Sequence, residues 1–236
     1  MELISYNSEE ISTSYILSLT ICAIVSYIIG SLNSAIIVVF LMKRKDIREY
    51  GSKNAGLTNV YRCFGTACAA VTLAMDLLKG FIVVFGTKGV LFASGLFSKY
   101  DYDEVFACLI VSACAVLGHV FPVFYRFKGG KGILIASMCT LAIEPIAFLC
   151  GLIVMVVMTA ITRYISVGSI CCCIGYPFFF ILADWLKDGI TEKTYIHAAI
   201  AALMGIFCIV RHAPNIVRLA HHEENKFSLK KDGGSK

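Results

Sequence analysis

Apolar runs long enough to cross a bilayer recur from Tyr15 to about Val210, and no other feature restricts the chain so much. Inside hydrocarbon every backbone N–H and C=O needs a partner within the protein, so only helices or a closed barrel can cross. The runs lack strand-like alternation, which argues against an outer-membrane barrel. Of the 236 residues, 58% are hydrophobic, above the roughly 45–50% of soluble domains. The expected fold is an all-α polytopic membrane protein, a compact bundle of about seven transmembrane helices forming one domain over residues 1–236.

The expected spans are Tyr15–Met42; a short one, Thr66–Phe85, interrupted by Asp76 and Lys79; and Val105–Tyr125. A polar loop is expected over 86–104. Ile133–Ile143 is too short to cross alone, and Glu144-Pro145 breaks the helix after it. Ile146–Thr162, Val167–Trp185 and Tyr195–Val210 complete the set. Residues 1–13 are polar and lack the basic region and cleavage site of a signal peptide. Residues 227–236 are expected to be a disordered tail.

With seven spans, one side of the membrane carries Lys43, Arg44, Lys45, Arg48, Lys53, Arg62, Arg126, Lys128, Lys131, Arg163, Arg211 and Arg218, besides the basic tail. The other side carries Lys88, Lys99, Lys187 and Lys193. That asymmetry predicts an outside N-terminus and a cytoplasmic C-terminus. The eleven cysteines lie mostly within apolar runs and include no CxxC pair, so they read as small buried hydrophobes. Asp46, Glu49, Asp76 and Glu224 are too dispersed to suggest a metal site, and nothing calls for a cofactor or nucleic acid.

Every glycine-rich or polar motif falls on the basic side. Arg126-Phe127-Lys128-Gly129-Gly130-Lys131-Gly132 sets cations among glycines between apolar runs. Glycines allow a ligand close to the backbone, successive amides can form an anion nest, and lysines add point charges, so a phosphate suits the loop. A plain basic turn reads the same way in isolation. Asp46-Ile47-Arg48 and then Gly51-Ser52-Lys53-Asn54-Ala55-Gly56-Leu57-Thr58-Asn59-Val60-Tyr61-Arg62 offer hydroxyls, amides and a guanidinium, although Ser, Asn and Thr also serve as ordinary caps. Gly118-His119-Val120-Phe121-Pro122 leads into the basic loop. His119 is a candidate base or a packing residue. Arg163-Tyr164-Ile165-Ser166 marks a helix turn, and Arg211-His212-Ala213-Pro214-Asn215-Ile216-Val217-Arg218-Leu219 precedes Glu224-Asn225-Lys226.

Taken in order, from Gly30-Ser31 to Lys226, these motifs resemble the bacterial acyl-phosphate:glycerol-3-phosphate acyltransferases, the PlsY family. The resemblance implies seven helices around a cytoplasm-facing groove in the bacterial cytoplasmic membrane. It implies acyl transfer from acyl phosphate to the 1-hydroxyl of glycerol 3-phosphate, giving lysophosphatidic acid and phosphate, with no cofactor. A soluble enzyme making acyl phosphate is the implied protein partner. By motif position the catalytic residues are Ser52, Arg62, Lys128, His212 and Asn215. Substrate binding falls to Asn54, Gly56, Thr58, Asn59, Gly129, Gly130, Lys131, Gly132, Ser166 and Glu224. The glycine loops and Lys128 are expected to hold the acyl phosphate, with Arg62, His212 and Asn215 on the glycerol 3-phosphate side.

This chain departs from the family pattern at several places. Asn33 stands where Pro or Thr is common, Lys53 and His222 stand at usual glycines, and Leu134 and Ile135 replace smaller residues after the basic loop. Two other readings compete: a transporter of phosphorylated anions and a diverged non-catalytic paralogue. Against transport, the spans hold few charges beyond Asp76 and Lys79, and no inverted repeat is evident. The H-x-x-x-x-D acyltransferases do not fit, because no histidine has Asp five positions on.

Overall fold

The computed structural model describes residues 8–94, 102–187 and 189–227. Most of the expected 1–13 segment, Lys99 and nearly all of the 227–236 tail lie outside the described residues. Among the described residues every regular element is helical. Six helical stretches among the described residues are long and apolar enough to cross a membrane, and Ile133–Ile143 is a shorter apolar helix. The chain divides into two compact units, residues 1–143 and 144–236.

The first unit opens with α1 (Ser8–Ser31) and α2 (Ser34–Lys43). The expected span Tyr15–Met42 is found as one membrane-length stretch, Thr13–Lys43, with a break at Leu32-Asn33 inside it. Asn33 is the reason: its side chain accepts from the Ile36 amide at 3.1 Å and starts a new helix. A short 3₁₀ turn, Ile47–Glu49, follows. The next helix, α3 (Leu57–Ala93), runs well past the expected 66–85 and kinks at Gly65, whose φ is 80°. It also replaces the first half of the expected 86–104 loop. Asp76 and Lys79 do not interrupt it, because they pair on one face at i,i+3 with Nζ–Oδ1 2.7 Å.

Two further helices complete the unit: α4 (Glu104–Val120), capped by Asp103, and α5 (Ile133–Ile143), with a 3₁₀ turn Val123–Tyr125 between them. Helices α1 and α4 pack closely because small residues face backbone. A Cβ at Gly118 would strike the Tyr27 carbonyl, and one at Gly30 the Ala115 carbonyl. Lys88 pairs with Glu104 at 2.8 Å and donates to the Ala142 carbonyl at 3.2 Å, capping α5. Buried hydroxyls such as Thr72, Thr87 and Ser112 donate to the carbonyl four residues back, so they need no distant partner.

The second unit contains α6 (Pro145–Thr162), α7 (Ile165–Lys187), α8 (Glu192–Arg211) and α9 (Ala213–Ala220). The break at Glu144-Pro145 falls where expected. Helix α9 carries the motif residues that follow the last expected span. Its Pro214 sits in the first turn, where a missing N–H costs nothing. Wide apolar surfaces stay exposed on both units, for example Phe40, Phe85, Ile153, Ile161, Phe178 and Leu203. Such faces suit lipid.

Candidate active site

In the first unit, residues 46–62 and 119–132 are tied together by backbone and side-chain contacts. The Asp46 carboxylate takes Arg48 in a fork, with Nη2–Oδ2 at 2.6 Å and Nε at 3.0 Å from both oxygens. The same guanidinium donates to the Tyr125 carbonyl at 2.9 Å and the Lys128 carbonyl at 3.5 Å. Arg48 is thus a brace for the basic loop. Its hydrogen bonds hold the Asp46 carboxyl below the usual carboxylate range, and Asp46 in turn raises Arg48.

Asn59 organises the serine loop from the first turn of α3. Its Nδ2 donates to the Tyr50 carbonyl at 2.9 Å and the Asn54 carbonyl at 3.1 Å, while Oδ1 accepts from the Ser52 amide at 3.0 Å. Asn59 is buried and its amide is spent on the chain itself, so its role is to shape the loop. Ser52, Thr58 and Arg62 are exposed and Asn54 is half-buried. Gly56 starts α3 without a side-chain cap. Lys53 takes φ 58° and His222 φ 60°, left-handed conformations that glycine adopts without strain.

The basic loop differs from the simple anion nest expected of it. The amides of Lys128, Gly129 and Gly130 donate to the Tyr125, Val120 and His119 carbonyls at 3.2, 3.1 and 3.1 Å. The amides left to an anion are those opening α5 after Gly132, which turns through φ 90°. Gly130 is required by contact, since a Cβ there would meet His119 Nε2 and the Ala55 carbonyl. That contact seats the two motif loops against each other. Lys128 is exposed, Lys131 half-buried, and Ile135 fully buried in the packing of its helix. Among the described residues neither Lys128 nor Arg62 has a carboxylate partner. Arg48, by contrast, is neutralised by Asp46.

In the second unit Glu224 is the hub. Its Oε1 accepts from Asn215 Nδ2 at 2.8 Å and Ser166 Oγ at 3.1 Å, and Oε2 accepts from Arg218 Nε at 2.8 Å. Ser166, His212 and Asn215 are all at most 5% exposed. Four predicted residues, from three separate elements, are therefore found in one small region. His212 joins α8 to α9, and its Nδ1 lies 2.8 Å from the Cys208 carbonyl. A carbonyl cannot donate, so Nδ1 carries a proton, and it is the neutral form of the ring that would hold its lone pair on Nε2.

The glycerol-3-phosphate acyltransferase family model matches residues 20–222. The chain belongs to that family. A glycerol-3-phosphate acyltransferase of Chlorobaculum tepidum is 34% identical over 220 residues, covering 87% of this chain and 95% of its own length. That of Paraburkholderia phymatum is 36% identical over 211 residues, covering 89% and 93%. The crystal structure of PlsY (YgiH), an integral membrane glycerol 3-phosphate acyltransferase in its glycerol 3-phosphate form, superposes with a TM-score of 0.73. It is 28% identical and is covered to 96%, against 89% of this chain. The lysophosphatidic acid form of the same protein gives a TM-score of 0.69. As a member of the glycerol-3-phosphate acyltransferases, the chain shares their all-helical membrane fold.

The motif residues were legible in the sequence, but their supports were less so. Nothing in the order of residues tells that Arg218 reaches Glu224, or that Asn59 holds the serine loop. The Asp76–Lys79 pair had a signal: opposite charges at i,i+3 inside an apolar run.

Proposed function

We infer that this chain transfers an acyl group to glycerol 3-phosphate, with acyl phosphate as donor and lysophosphatidic acid and phosphate as products. The observation that carries the reading is charge without a counterion: Lys128 and Arg62 are exposed and lack a carboxylate partner among the described residues, on loops that other residues brace. Idle cations on shaped loops suit phosphorylated ligands. The family model spans both units, which supports a single functional domain over 1–236.

An acyl phosphate is a mixed anhydride, so its carbonyl is already activated and no acyl-enzyme is needed. The protein must hold two anions close together despite their repulsion, and position supplies much of the rate. Lys128 and the amides opening α5 hold the donor phosphate and stabilise the charge that grows on it as it leaves. Ser52 and the Gly56 turn serve the same donor. Arg62, His212 and Asn215 serve glycerol 3-phosphate, and Glu224 keeps Asn215 and Ser166 oriented. The departing phosphate takes the hydroxyl proton, its second ionisation lying near pKa ~6. His212 is the protein alternative.

The clustered arginines and lysines support the reading that both loops lie on the cytoplasmic side of a bacterial cytoplasmic membrane. The acyl tail then lies in lipid while glycerol 3-phosphate arrives from water, and a soluble enzyme supplies the acyl phosphate. The test mixes purified protein, labelled glycerol 3-phosphate and palmitoyl phosphate. Label in lysophosphatidic acid is expected. Label crossing sealed vesicles unacylated would instead support transport. A maximal rate left nearly intact by His212→Ala removes His212 as the base.

A further inference from the structure

Beneath the basic loop lies a group of buried polar side chains that the reaction above does not use. Asp76 is 1% exposed, Lys79 7%, Ser34 0% and His119 4%. The Asp76 Oδ1 atom accepts from Ser34 Oγ at 2.7 Å and pairs with Lys79 Nζ at 2.7 Å. Lys79 also donates to the Leu32 carbonyl at 2.9 Å, at the end of α1. A buried ion pair is costly to desolvate and is weak evidence for stability by itself. What it touches therefore matters.

It reaches Gly130 by two routes. On one, Lys79 fixes Leu32, next to Asn33, whose Nδ2 lies 3.4 Å from the Ala55 carbonyl. That carbonyl is one wall against Gly130. On the other, the His119 ring is the opposite wall, with Nε2 facing Gly130 and the backbone carbonyl taking the Gly130 amide at 3.1 Å. The far side of the ring faces the pair. His119 Nδ1 lies 4.0 Å from Asp76 Oδ1, too far for a hydrogen bond, and has no partner although it is buried. An unmade bond at a buried nitrogen is a free-energy reserve. A shift of about an ångström would close this one to bonding distance.

We propose that His119, backed by Asp76, is a positioning residue for the basic loop, and that its Nδ1 closes onto Asp76 when the loop takes the donor phosphate. The ring does not touch the reacting atoms. It sets where Gly130 lies, and so where Lys128 and Lys131 sit on either side. Binding of the donor is then coupled to completion of this buried hydrogen bond, whose atoms stand 4.0 Å apart. This inference rests on the assignment of the basic loop to acyl phosphate.

The experiment measures KM separately for palmitoyl phosphate and glycerol 3-phosphate, with kcat and melting temperature, on the purified protein. His119→Ala should raise the palmitoyl phosphate KM about tenfold and leave the glycerol 3-phosphate KM within about twofold. His119→Asn puts an amide nitrogen near the Nδ1 position and should recover part of that loss. Gly130→Ala, which drives a methyl into the same ring, should mimic His119→Ala. Leu109→Ala, a fully buried residue on the same helix, serves as the control for lost packing and should lower the melting temperature without separating the two KM values. If His119→Ala fails to fold, the Asn and Gly130 variants carry the test alone. Equal changes in both KM values, or none, overturn the proposal and leave His119 a packing residue. Lys128→Ala is run alongside. If it leaves the palmitoyl phosphate KM untouched, the loop assignment fails and takes this inference with it. If it raises that KM and the His119 and Gly130 variants do not, only the present inference fails.

Discussion

The two polar regions solve opposite problems. In the first unit, Lys128 and Arg62 are exposed cations without a carboxylate partner among the described residues, carried on loops whose backbone is held by Arg48, Asn59 and Gly130. In the second, Asn215 and Ser166 are buried and already bonded to a carboxylate. One region keeps its charge available by placing the supports behind it. The other fixes neutral donors in place by giving up a charge of its own to Arg218. Function and stability should therefore separate under mutation in the first region and move together in the second.

Removing the hub is the harshest test. Glu224→Ala takes the acceptor from three donors and should cut kcat/KM about 100-fold or more while lowering the melting temperature. A fall in activity with an unchanged melting temperature would break the contrast. Lys128→Ala should cost about 10–100-fold in kcat/KM, through loss of charge stabilisation at the donor phosphate, with the melting temperature unmoved. A matching loss of stability would place Lys128 among the supports. Asn59→Ala leaves the Ser52 amide and two loop carbonyls without their partner and should destabilise by about 2 kcal/mol, read by thermal unfolding in detergent. Its activity loss should follow the unfolding and not exceed it.

Two smaller effects sharpen the picture. Asp46 is held below its ordinary carboxylate range by Arg48, so its contribution to stability is present above the unfolded pKa of about 4 and is lost as pH falls through the lower folded value. Asp46→Asn should flatten that acid-side loss and change nothing in the slope near neutral pH. An unchanged acid limb in the variant would show the brace to be idle. Smallest of all, Lys53→Gly relieves a left-handed backbone at φ 58° and should gain less than ~1 kcal/mol without altering either KM. A raised KM for palmitoyl phosphate would instead give the Lys53 charge a part in binding.

The chain alone determined much of this protein. Apolar runs bounded by charge specify membrane-length helices, because backbone groups in lipid have no other partner. The Ile133–Ile143 helix and the Glu144-Pro145 break were legible to the residue, since proline chemistry is local. Motif order was also local information, and it pointed to the family. What tertiary structure decided was every matter of pairing across distance. It let α3 run through Asp76 and Lys79, because the two charges satisfy each other and Ser34. It spent the amides of Lys128, Gly129 and Gly130 on carbonyls of residues 119–125, so the basic loop presents side chains and a helix start where a nest was expected. It chose Arg218 for Glu224 and Asn59 for the serine loop. A polar side chain in a sequence advertises only that it needs a partner. Which partner it takes is set by what the packed helices bring within about 3 Å, and that depends on the whole fold.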